Sequence, residues 1–109
     1  GYVPPMTPLE KGFDSFFGTL HGAMAYVPDG PTGLKSLTRN HADSPMVAHT
    51  TEAFADEAIA FIRKHRERPF FLYVPFTAVH APLQSTSAYL GRFADEPDTR
   101  RRAYLAMLA

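Results

Sequence analysis

Arg68-Pro69-Phe70-Phe71-Leu72-Tyr73-Val74-Pro75 decides the fold class of this chain. From Phe70 to Val74 no polar residue interrupts the run. A strand with one wet face alternates apolar and polar residues. A continuous apolar run is expected to have both faces covered, as in the centre of a parallel sheet. Working back along the chain, Phe54, Ala58, Ile59, Phe61, Ile62 and His65 fall on one broad helical stripe. Glu52, Asp56 and Glu57 come early in that stretch, and Arg63, Lys64 and Arg66 come late. This order complements the helix dipole. Thr50 or Thr51 can cap a helix that starts at Glu52, and Pro69 forbids its continuation. The spacing predicts a helix over about 52–67, roughly 22 Å long, and a strand over about 70–76. Helix, short turn and buried strand make half of a βαβ unit, so the expected fold class is α/β.

Away from this pair the pattern weakens. Residues 77–109 read as loop and helices. Ser87-Ala88-Tyr89-Leu90 suggests one helical turn ended by Gly91, and Asp95-Glu96-Pro97-Asp98 carries a helix-start signature. Residues 1–49 are loop-rich. A short helical turn at most is expected around Leu9, Phe13, Phe16, Phe17 and Leu20, because Gly12, Gly18 and Gly22 interrupt it. Pro28-Asp29-Gly30-Pro31-Thr32-Gly33 reads as consecutive turns. The polar stretch beyond it, to Val47, lacks clear periodicity. A lone buried strand needs neighbours at both edges, and few other convincing strands are visible. The sheet is therefore expected to need the rest of a domain, or a second chain, to cover it. Gly1 is not an initiator Met, and the apolar stretch Ala103–Ala109 carries no cap. Both features fit an internal slice of a longer chain.

Composition narrows the chemistry. The chain has 109 residues, with 11 basic and 11 acidic side chains balancing to a formal charge of zero. It lacks the basic excess that nucleic acid attracts. A hydrophobic content of 45% argues against disorder. The absence of Cys excludes disulfides, thiolate metal sites and Cys nucleophiles within these residues. No apolar run reaches the length of a membrane span. The opening residues lack the basic start and apolar stretch of a signal peptide, and the compartment stays open.

One residue stands out by position. In parallel α/β sheets ligands bind beyond the carboxyl ends of the strands. His80 lies there, in a loop restricted by Pro75 and Pro82. Its imidazole can give or take a proton near neutral pH. His21, His41, His49 and His65 show no metal-site spacing, and a zinc site from His21, His41, His49 and His80 is an alternative. No G-x-S-x-G elbow and no phosphate-cradling glycine loop is present. Arg100-Arg101-Arg102, preceded by acids, reads as a solvated helix face.

Taken in order, four stretches resemble one family. They are Gly12-Phe13-Asp14-Ser15-Phe16-Phe17-Gly18, then Thr51 to Ile62, then Arg68 to Phe76, then His80-Ala81-Pro82-Leu83. The chain is similar to the middle of the catalytic domain of arylsulfatase-type sulfatases. Asp98–Met107 also resembles the helix that follows there. The resemblance implies a fragment of a three-layer α/β/α domain of the alkaline-phosphatase-like superfamily, with one central parallel strand here and flanking helices. It implies hydrolysis of a small-molecule sulfate ester by the intact parent. In that family a formylglycine made from Cys or Ser in a C/S-x-P-x-R motif attacks sulfur, and a divalent cation, usually calcium, polarises the sulfate.

Carried over by residue, the resemblance assigns His80 alone, to sulfate contact or to leaving-group protonation. It gives no cofactor-binding and no metal-binding residue in this chain. The nucleophile motif has no match, and the calcium ligands are expected outside these residues. Asp14 takes a structural place. The isolated chain is therefore expected to be inactive. Two other readings stay open: a non-catalytic remnant or interaction module, and a phosphate or phosphonate ester hydrolase on the same frame.

Overall fold

A computed structural model of the chain describes residues 5–29 and 37–109. Its order is a short 3-10 turn at Leu9–Lys11, strands β1 (Phe17–Gly18), β2 (Leu37–Arg39) and β3 (Ala42–Ser44), then helices α1 (Thr50–His65), α2 (Ser87–Gly91) and α3 (Thr99–Leu108). The fold is mixed α/β. The turns expected between Pro28 and Gly33 lie, from Gly30 onward, outside the described residues. The early helical turn is there, and Gly12 closes it at φ 98°, where its N–H turns back to the Leu9 carbonyl.

The sheet differs from the expected one. It is small and antiparallel, in the order β1-β2-β3. β2 and β3 form a hairpin whose last paired residues are Arg39 and Ala42. Asn40 takes a left-handed φ of 54° at its tip, a conformation that Asn tolerates better than most residues. Its side-chain oxygen accepts the Phe16 N–H at 3.0 Å, and its own N–H donates to the Phe16 carbonyl at 2.8 Å. The hairpin is thereby tied to β1.

Residues 70–76 join no ladder among the described residues. Their faces are not both covered here either. Phe71 and Tyr73 are 74% and 67% exposed, whereas Leu72 and Val74 are half-buried. This two-residue alternation is that of a run with one covered face. Two things are missing among the described residues: a strand beside the run to bond its backbone, and a layer over the face that carries Phe71 and Tyr73. Phe70 still meets Phe61 of α1 edge-on at 5.5 Å, and Phe71 approaches Phe13 at 6.1 Å.

α1 starts two residues before the expected Glu52, and its cap is His49 rather than a threonine. Phe54 is the buried member of its stripe and packs with Met24 and Leu37, flanked by Phe17 and Met46. The Phe17 and Phe54 rings meet edge to face at 6.0 Å. Ile59 and Ile62, on the same stripe, remain 45% and 43% exposed. α2 falls where the Ser87–Gly91 reading placed it. α3 is capped by Asp98, whose carboxylate accepts the N–H groups of Arg100 and Arg101. Pro97 stands before the cap rather than inside the helix. The radius of gyration is 15.6 Å, against about 13 Å for a compact domain of this length.

Candidate functional site

His80 sits in the loop that links residues 70–76 to α2. Its N–H donates to the Thr77 carbonyl at 3.0 Å and to the Tyr26 hydroxyl at 3.2 Å. Its Nδ1 lies 2.7 Å from the Ala81 carbonyl. A carbonyl can only accept, so Nδ1 carries the hydrogen. Nε2 then presents its lone pair in the neutral ring, or a second N–H in the charged ring. The side chain is exposed, and Nε2 has no partner among the described residues.

The loop is fixed from three directions. Tyr26, 1% exposed, donates its hydroxyl to the Thr77 carbonyl at 2.6 Å. Its backbone N–H donates to Gln84 Oε1 at 2.8 Å, and its carbonyl accepts the Thr50 N–H at 2.9 Å. At α1, His49 Nδ1 accepts the Thr51 N–H at 3.3 Å, and His49 Nε2 lies 3.4 Å from the Gln84 carbonyl. One neutral tautomer, hydrogen on Nε2, satisfies both contacts. The Tyr26 and His49 rings stack with centroids 5.7 Å apart. At α3, the Gln84 N–H points to Met107 Sδ at 3.3 Å, and Ser85 Oγ donates to the Ala106 carbonyl at 3.3 Å.

An open cleft of about 590 Å³ runs beside this loop. Val79, Ala81 and Leu83 face Asp98, Arg100, Arg101 and Tyr104 across it. Arg101 is paired with Glu96 at 2.9 Å. Arg100 has no ion pair among the described residues. Asp98 is held below its ordinary carboxylate range by the backbone N–H groups of Arg101 and Arg100. A separate cleft of about 260 Å³ by the hairpin contains His41 and Asp43.

The histidines do not converge. Among the described residues no three His, Cys, Asp or Glu side chains gather to hold a metal ion. The zinc alternative built on His21, His41, His49 and His80 therefore finds no site, and the same donor set does not fit calcium. No described helix is long and apolar enough to cross a membrane. The sequence reading names His80 as its candidate and His49 only as part of a zinc alternative; it does not single out Tyr26 or Gln84, nor His49 as a helix cap. A buried Tyr that finds hydrogen-bond partners was signalled only by the short apolar run Met24-Ala25-Tyr26-Val27.

The Sulfatase family model matches residues 3–109. The chain belongs to the sulfatase family. Mouse arylsulfatase J is 31% identical over 117 aligned residues, covering 99% of this chain and 20% of that protein. The arylsulfatase of Klebsiella aerogenes is 29% identical and human N-acetylgalactosamine-6-sulfatase 30%, over 85% and 84% of this chain. The sulfatase segment thus spans about a fifth of the length of the curated relatives it matches. Among solved structures, that of Ps i-CgsB in complex with k-i-k-neocarrahexaose superposes with a TM-score of 0.89 at 27% identity. The match takes in 99% of this chain and 28% of that one. The arylsulfatase-type resemblance read from the four stretches is therefore right.

Proposed function

We propose that the whole protein containing this sulfatase segment hydrolyses a sulfate monoester, and that His80 contacts the sulfate or protonates the leaving oxygen. The observation that carries this is the set of the imidazole. Nδ1–H is committed to the Ala81 carbonyl, while Nε2 on the exposed side has no described partner. Such a ring can hand a proton to an oxygen as the ester bond breaks, or hydrogen-bond the sulfate. Arg100, without an ion pair among the described residues, borders the cleft beside this loop together with Asp98 and the Glu96-paired Arg101, and its charge favours an anionic substrate.

In this reading residues 70–76 become a central strand once flanking strands of the whole domain bond their free edges. The exposed rings of Phe71 and Tyr73 are covered by the layer that packs on that face of the sheet in the whole domain. The nucleophile and the calcium ligands lie on polypeptide beyond these residues, and the isolated segment is inactive. The test is turnover by the full-length protein and its His80→Asn variant on an aryl sulfate and the matching aryl phosphate. We expect the sulfate to be the better substrate and the variant to be about 100-fold slower or more. Equal rates for variant and parent would remove His80 from the chemistry. A preference for the phosphate would move the protein to the other ester class.

A further inference from the structure

We infer that Tyr26 is a positioning residue for His80, a role that rests on the reading of His80 given above. Tyr26 is the largest side chain that is fully buried among the described residues. Its hydroxyl is the one side-chain group among them that bonds the backbone of the 77–80 turn. It donates to the Thr77 carbonyl at 2.6 Å and accepts the His80 N–H at 3.2 Å. It therefore holds both ends of that turn, across 51 and 54 residues of sequence.

The hydroxyl is itself well anchored. The ring lies on His49, which caps α1, and the Tyr26 N–H holds Gln84 at the far end of the loop. The His80 backbone is thus tied through Tyr26 to the start of α1. Without the hydroxyl, the Thr77 carbonyl loses its shorter donor. The His80 N–H keeps only the 3.0 Å bond inside its own turn. The imidazole is then free to shift, and displacement of a reacting group by about 1 Å can cost 100-fold in rate.

Tyr26→Phe keeps the ring, its volume and its stack on His49, and removes only the hydroxyl. It is to be made in the full-length protein, alone and with His80→Asn, and assayed on aryl sulfates with good and poor leaving groups. We expect kcat to fall about 10- to 100-fold with little change in KM, and the fall to be larger for the poor leaving group. That difference between esters belongs to leaving-group protonation; if His80 contacts the sulfate instead, both esters slow alike, and the His80→Asn background separates this from a purely structural role. In the His80→Asn background the added Tyr26→Phe change should have no further effect. Backbone amides of residues 77–84 should exchange hydrogen faster in Tyr26→Phe, a readout independent of turnover. If His80→Asn is slow while Tyr26→Phe runs at the parent rate, or multiplies the His80→Asn loss, the positioning role is wrong and the His80 reading stands. If His80→Asn runs at the parent rate, both fall.

Discussion

Arg39 at the end of β2 grips Glu57 in α1 through a two-pronged hydrogen bond, with Nη2 2.7 Å from Oε2 and Nη1 on Oε1. The same guanidinium lies 4.5 Å from the centre of the Phe17 ring. One side chain thus joins the hairpin, β1 and the long helix. The hydrogen bond from Arg39 holds the Glu57 carboxyl below its ordinary 4.5; charge attraction adds to this and partial burial opposes it. A depressed folded-state value means that this stabilisation is fully present above about pH 4.5. It is lost as the pH falls through the folded-state value. Both side chains are more than a third exposed, so the pair should contribute at most about 1 kcal/mol. A double-mutant cycle of Arg39→Ala and Glu57→Ala in the full-length protein, at pH 7 and pH 3, measures it. A coupling that survives unchanged at pH 3 would contradict the assignment.

His49 is the unusual cap of α1. Its Nδ1 stands where a Ser, Thr, Asp or Asn oxygen usually does. His49→Ala loses the cap, the stack on Tyr26 and the contact to Gln84, and should destabilise the full-length protein by about 1–2 kcal/mol. His49→Asn can restore the cap alone and should recover part of that loss. Thermal melting of both variants checks this. Equal melting temperatures for Ala and Asn would show that the cap contributes nothing.

Helices were legible here where their signals are local. Asp98 caps α3, the acids and bases of α1 are ordered along its dipole, and Gly91 ends α2. The sheet was not legible. Its strands are two or three residues long, too short to show a period, and Phe17 pairs with Arg39 across a segment without pattern. The hairpin turn lacks the Asn-Gly signal, since His41 follows Asn40. The apolar run at 70–74 is read from the sequence as a strand covered on both faces, and the described residues supply neither a neighbouring strand nor cover for Phe71 and Tyr73. His80 is nominated from its place after that run. Its supports could not be, because Tyr26 meets Thr77 and Gln84 across 51 and 58 residues.

Phe54 carries the packing of the small core. It is 8% exposed and touches the cluster of Met24 and Leu37. Phe54→Ala removes a ring that both hairpin and helix use, and should cost about 3–5 kcal/mol in the full-length protein. Chemical denaturation measures the loss. A cost below about 1 kcal/mol would place the cluster outside the core of the folded protein.

A chain of these 109 residues alone should behave as an incompletely covered structure. It exposes 7563 Å², whereas a compact monomer of 12.1 kDa exposes about 6,000 Å². The excess includes large apolar side chains, with Val47 at 82%, Phe71 at 74% and Tyr73 at 67% exposure. Exposed apolar side chains in this number bind apolar dyes and weaken cooperativity, because few side chains lose their packing together when the chain opens. The expected result is binding of anilinonaphthalene sulfonate, a broad thermal transition and no turnover of an aryl sulfate. The full-length protein should melt sharply and bind no dye. A sharp two-state transition of the 109-residue chain as a monomer, without dye binding, would mean that its apolar strip needs no cover. The central-strand reading of residues 70–76 would then have to be given up.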